Sequence, residues 1–167
     1  ILASMNSSDQ AVMPMDTAFK RRWNFVYIPL NFENGPSGYV SFHIDNEKKY
    51  VKWSVFAQSI NRILSDSRIP EDRHLGPWFL ENDDLVSEQA MQNGELGASG
   101  VLTGKLFMYL WDDVLRHGQR HSVFSDAIKT YGGLVTEFEA RKNIFCSSLS
   151  EIFTESDEGS AEEGGPS

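Results

Sequence analysis

The sequence has a single cysteine, Cys146, among 167 residues. One thiol makes no internal disulfide and by itself supplies no structural zinc site, so neither kind of cross-link holds this fold together. Long hydrophobic runs are also missing, since none approaches the roughly 18 to 20 residues that a bilayer crossing needs. The N-terminus does not show the basic region, apolar stretch and small-residue cleavage site of a signal peptide. These absences predict a cytoplasmic protein with no membrane partner. Positive charge is scarce, with 15 Lys and Arg against 24 Asp and Glu. That balance argues against a broad basic face that would grip nucleic acid. Five of the nine excess negative charges fall after residue 153, at Glu155, Asp157, Glu158, Glu162 and Glu163, and residues 154–167 have the composition of a disordered acidic tail.

What the chain has in quantity is aromatic mass, 11 Phe, 5 Tyr and 4 Trp. Groups of that size supply much of the burial that offsets ordering entropy, so a packed core is expected. Ile1–Ala3 is a short apolar run opening into the polar stretch Ser4-Met5-Asn6-Ser7-Ser8-Asp9-Gln10, the pattern of a buried strand that ends in a loop. Asp16 stands where it can cap a short helix ending in Lys20-Arg21-Arg22. A second buried strand is predicted over Asn24–Leu30, closed by Pro29 and the turn residues Asn34-Gly35-Pro36-Ser37-Gly38. Tyr39–Ile44 and Lys49–Trp53 read as a hairpin around Asp45-Asn46-Glu47-Lys48, with Val40, Phe42 and Ile44 on one face.

From Ser54 the period becomes helical, with Phe56, Ile60, Ile63 and Leu64 on one stripe and Ser54 as N-cap. Further helices are predicted over Asp83–Gln92, Thr103–Arg116, Ser122–Tyr131 and Thr136–Phe153, the last opened by the capping box Thr136-Glu137-Phe138-Glu139. Asn93–Gly100 has the glycine density of a flexible loop.

Most apparent motifs dissolve on inspection. Gly97–Leu106 lacks glycine at Ser99 and a Ser or Thr at Leu106, and no apolar strand precedes it, so it is a loop entering a helix and not a phosphate loop. His117 and His121 share helical spacing but have no third ligand at a convincing spacing. Cys146 sits among apolar residues and reads as a small core residue.

The first thirty residues are different, because they form an ordered constellation. Ala3-Ser4-Met5-Asn6-Ser7-Ser8-Asp9-Gln10 followed by Met15-Asp16-Thr17-Ala18-Phe19-Lys20-Arg21-Arg22-Trp23-Asn24-Phe25 resembles the sensor 1 and arginine-finger stretch of McrB-type AAA+ nucleotidases. The likeness is close over about twenty-five residues, a strand-turn-helix motif, and looser through Trp53–Asn61 and Pro70–Leu80. It implies that Asn6 orients the attacking water and that Arg21 and Arg22 occupy the finger positions, stabilising charge in a neighbouring subunit's site. It also implies a sensor 2 role for Arg73, although the surrounding residues depart from common lids. Asp9 matches an acidic position of the family but is read as a structural turn residue.

The resemblance implies an α+β fragment. Residues 1–53 are the C-terminal piece of an AAA+ α/β subdomain with a β-hairpin, 54–153 an α-helical lid, and 154–167 the acidic tail. The upstream phosphate loop and acidic metal-binding strand of such a module do not occur in this chain. The implied parent binds and hydrolyses ATP or GTP with Mg²⁺, the isolated fragment being inactive. It assembles as a homo-oligomeric ring with a possible nuclease partner, and reaches DNA only through regions outside this chain. Two rivals stand beside it: a non-catalytic helical interaction module, and an AAA+ remodelling motor unrelated to restriction.

Overall fold

A computed structural model describes residues 17–44 and 46–158, the side chains of 19, 20 and 155–158 excepted. The predicted first strand, Asn6, Asp9, Asp16 and residues 159–167 lie outside the described residues. The first described element is a single turn, α1 (Thr17–Lys20). After it comes the first correction to the sequence reading. Residues 24–30 form no strand and are exposed, Val26 at 82% and Ile28 at 83%. A strand exists only by pairing, and among the described residues none offers these backbone groups a ladder.

The hairpin is present with a tighter turn than its sequence suggested. Strand β1 (Tyr39–Ile44) pairs antiparallel with β2 (Glu47–Lys52), and the register Ile44↔Glu47 leaves two residues between them. Asn46 takes the left-handed conformation (φ 68°), which such a tight connection demands and Asn tolerates. Val40, Phe42 and Ile44 are buried, as the alternation predicted. Ser41, on the opposite face, is also buried because a loop covers that side: Ser41 Oγ accepts from Gly97 N (2.9 Å), Tyr50 OH donates to the Glu95 carbonyl (2.7 Å), and Lys48 Nζ to the Gly94 carbonyl. The outer edge of β1 is closed by a mutual pair between Tyr39 and Val86 at 2.9 Å. Gly38 permits that approach, since a Cβ there would lie 2.7 Å from Leu85 Cβ.

Helix α2 (Trp53–Asp66) follows β2 without a loop. Its buried residues Trp53, Phe56, Ala57, Ile60, Asn61 and Leu64 fall at helical spacing. Ser54 lies inside this helix; the N-cap position is Lys52, which makes no side-chain cap. Asn61 is the polar member of the stripe. Its amide clasps Leu75, accepting from the Leu75 N–H (2.7 Å) and donating to the Leu75 carbonyl (2.8 Å). Replacing Asn61 by Ala is expected to cost about 2–4 kcal/mol, because two buried backbone groups lose their partners; urea denaturation reads this directly.

The predicted helix over 83–92 is split into a 3₁₀ turn (Asn82–Asp84) and α3 (Glu88–Gln92), the latter capped by Ser87, whose Oγ accepts from Ala90 N (3.2 Å). The predicted Thr103–Arg116 helix exists as α4, which begins at Ser99–Val101 and continues with π-type bonding over Leu102–Phe107 and Tyr109–Val114. Its buried residues are Leu102, Leu106, Phe107, Leu110, Trp111, Val114 and Leu115. From Phe107 onward they recur in steps of three and four, the apolar stripe of a helix seated on a core, so the i→i+5 bonding is not written in their spacing.

Two helix predictions are overturned. Ser122–Tyr131 is not one helix, and residues 123–130 between its ends are not helical: a 3₁₀ turn (Arg120–Ser122) leads into a bridge between Phe124 and Phe145, where Ser125 N donates to the Ile144 carbonyl and Cys146 N to the Val123 carbonyl. Thr136–Phe153 is two helices, α5 (Tyr131–Glu139) and α6 (Ser147–Glu158). Thr130 caps α5 by accepting from Gly133 N (3.0 Å), while Thr136 lies mid-helix with its hydroxyl donating to the Gly132 carbonyl. Arg141 (φ 60°) turns the chain between the two helices. Helix α6 also carries regular structure into the predicted tail as far as Glu158.

The hairpin's inner face and the helices share one apolar cluster. Phe42, Phe56, Phe145 and Phe153 form its aromatic centre, with ring centroids 4.9–6.0 Å apart. Their offset, mostly tilted or edge-on packing is the arrangement aromatic quadrupoles favour.

Candidate functional site

Arg21 and Arg22 occupy the turn that ends α1, where Arg21 N donates to the Thr17 carbonyl (3.2 Å), and both are exposed. The chain then runs into Trp23, Phe25, Val26, Tyr27, Ile28 and Leu30, between 37% and 83% exposed. A row of large apolar side chains in water immediately after two arginines is the most unusual surface feature among the described residues.

Arg73 lies elsewhere, in the 3₁₀ turn Glu71–Arg73. Pro70 (φ −57°) sets the entry to this turn, and buried Ile69 and Leu75 anchor its two ends. The turn buries none of its own residues. Arg73 lines a cleft of about 400 Å³ with Asp72, Tyr109, Asp112, Asp113, Arg116 and His117. The Tyr109 hydroxyl donates to the Arg73 carbonyl (3.1 Å) and so fixes the turn against α4. Burial raises the Tyr109 phenol above its ordinary pKa, Asp113 adds to that, and Arg73 opposes it.

The cleft mixes signs. Three carboxylates face two guanidiniums and an imidazole, so a whole triphosphate lying in it would meet repulsion. Among the described residues, no group of three or more His, Cys, Asp or Glu is placed to hold a metal ion. His117 lines the cleft, whereas His121 belongs to the 3₁₀ turn beyond it. Residues 97–106 run from a loop into α4, with α3 upstream.

Arg21 and Arg22 do not line the cleft, but their segment is joined to it. The Tyr27 hydroxyl donates to Glu71 Oε2 at 3.0 Å, linking the exposed segment to the Arg73 turn. Hydrogen bonding to the carboxylate raises the Tyr27 pKa. Sequence reasoning missed this pair and the Tyr109 contact, because residues 44 and 36 positions apart carry no shared periodicity. Cys146 is half-buried, its Sγ donating to the Ser122 carbonyl (3.2 Å), consistent with a packing role. Among the described residues, no helix is long and apolar enough to cross a membrane.

No family model matches the chain, and no solved structure matches it. It is 33% identical over 147 residues to the Type II restriction enzyme BsuMI component YdiS of Bacillus subtilis (strain 168). That match takes in 87% of this chain but only 39% of the relative, so the chain is similar to part of a restriction-system component.

Proposed function

We propose that this chain is the C-terminal part of a McrB-like AAA+ subunit in a restriction system, whose whole protein binds and hydrolyses ATP or GTP with Mg²⁺. The observation that carries the reading is the juxtaposition of exposed Arg21 and Arg22 with the exposed apolar segment 24–30. Apolar residues in that number belong in a sheet, and two guanidiniums at its rim are free to enter a neighbouring subunit's site. Similarity to a restriction enzyme component supports the restriction context.

In this reading residues 1–53 complete the α/β subdomain, 54–153 are the lid and 154–167 the acidic tail. The nucleotide and Mg²⁺ are held chiefly by residues outside this chain; the nucleotide supplies the phosphoanhydride to be cleaved. Asn6 orients the attacking water without adding negative charge. Arg21 and Arg22 stabilise charge in trans, which requires a homo-oligomeric ring, and Arg73 contacts phosphate from the lid. A nuclease partner cuts DNA, and DNA recognition lies outside this chain. The subunit works in the cytoplasm, where the DNA of such a system is found.

The test is hydrolysis of ATP and of GTP by the full-length subunit with Mg²⁺. Arg73→Ala is expected to lower kcat about 10-fold with little change in KM, the size of one charge-assisted hydrogen bond made as charge develops. Full-length protein that binds neither nucleotide in calorimetry sinks the reading.

A further inference from the structure

We propose that Tyr27 and Glu71 are a positioning link, tying the segment that follows Arg21 and Arg22 to the turn that carries Arg73, so that finger and lid arginine move as one body. The inference rests on the nucleotidase reading for its function but on geometry for its existence. The turn has no buried side chain of its own and hangs between the anchors Ile69 and Leu75. Its internal bonds are Arg73 N to the Pro70 carbonyl and His74 N to the Glu71 carbonyl, each 3.0 Å. Two tyrosine hydroxyls hold it from outside. Tyr109 takes the Arg73 carbonyl and orients the turn against α4, within the helical body. Tyr27 takes the Glu71 carboxylate and orients the turn against the segment leading from the arginines.

The arrangement has a consequence for a ring. Arg21 and Arg22 serve the neighbour's site, whereas Arg73 serves its own subunit's nucleotide. A contact that joins their supports makes the position of one depend on the other, and such coupling between sites is reciprocal. Tyr27 and Glu71 touch no reacting atom in this scheme. Their effect falls on where Arg73 stands when charge develops, so kcat responds while ground-state affinity does not.

The experiment uses the full-length subunit with Tyr27→Phe, Glu71→Ala and the double variant. Both residues are exposed, so folding is expected to survive. Hydrogen exchange without nucleotide at the Arg73 and His74 amides is expected to quicken about two- to ten-fold in each single variant. kcat is expected to fall by a similar factor, about two- to ten-fold, with KM for the hydrolysed nucleotide within about two-fold. The double variant is expected to be no worse than either single one, since both remove the same bond. Unchanged exchange in the single variants overturns the link. So do effects that multiply in the double variant, or an unchanged kcat in an active enzyme. A wild-type subunit that hydrolyses nothing overturns the nucleotidase reading and the coupling role with it, while the exchange measurement still decides whether the link holds the turn.

Discussion

Replacing Phe42 by alanine is expected to destabilise the protein by about 3–5 kcal/mol, the usual range for deleting a buried aromatic ring. Phe42 is 1% exposed and its ring meets Phe56, Phe145 and Phe153 at 5.9, 4.9 and 5.2 Å. Those partners belong to α2, the segment before α6, and α6, so the cavity opens where three parts of the chain converge. None of these neighbours is at a chain end that can slide in, and collapse of the cavity is correspondingly poor. Phe42→Leu keeps most of the volume and is expected to cost about 1–2 kcal/mol. Denaturant midpoints of the full-length subunit measure both. A Phe42→Ala protein within about 1 kcal/mol of wild type would mean that the hairpin is not seated in the helical core.

The second large effect concerns catalysis. On the proposed finger role, changing Arg21 and Arg22 together to alanine is expected to lower kcat by about 10³-fold or more, the range for loss of an arginine finger. Both side chains are exposed, and neither lies in the apolar cluster, so the fold is expected to survive the change. The proposed position in trans makes a sharper prediction. In mixed assemblies the variant subunits are expected to silence the neighbour's site while their own sites remain competent. Sedimentation shows whether the ring persists, and hydrolysis against mixing ratio shows which site is lost. Intact assembly with unimpaired hydrolysis would leave the chain as an interaction module.

These two predictions draw on parts of the molecule that differ in how far they were legible beforehand. The hairpin and α2 could be read from the sequence, because each has a one-sided apolar pattern at its own period: Val40, Phe42 and Ile44 alternate, and Phe56, Ile60 and Leu64 follow the helical turn. The segment 24–30 carries an equally strong apolar signal and yet forms no strand. Apolarity expresses a demand for burial, and pairing partners must meet it; no described residue does. The stretch after Ser122 failed for the opposite reason. Its local preferences allow a helix, but pairing of 123–125 with 144–146 captures the backbone groups first. Thr136 shows the same limit at one residue. Its capping pattern is sound, but Thr130 six positions earlier satisfies the first free amides and leaves Thr136 mid-helix.

Among the candidate site residues, Arg21, Arg22 and Arg73 were named from the resemblance to a family motif, and Asn6 lies outside the described residues. The cleft around Arg73 was not foreseeable, since Asp72 and Arg73 meet Tyr109, Asp112, Asp113, Arg116 and His117 only after the turn packs on α4. By itself, then, the sequence determined that this protein has an aromatic core, a hairpin running into an amphipathic helix, and a basic pair ahead of an apolar segment. These are properties of near neighbours, and short-range sterics and periodicity settle them. Only the tertiary structure decided that Tyr27 reaches Glu71, that α4 winds in steps of five, and that Phe124 pairs with Phe145. Each of these is a choice among contacts distant in sequence, and packing of the whole chain makes it.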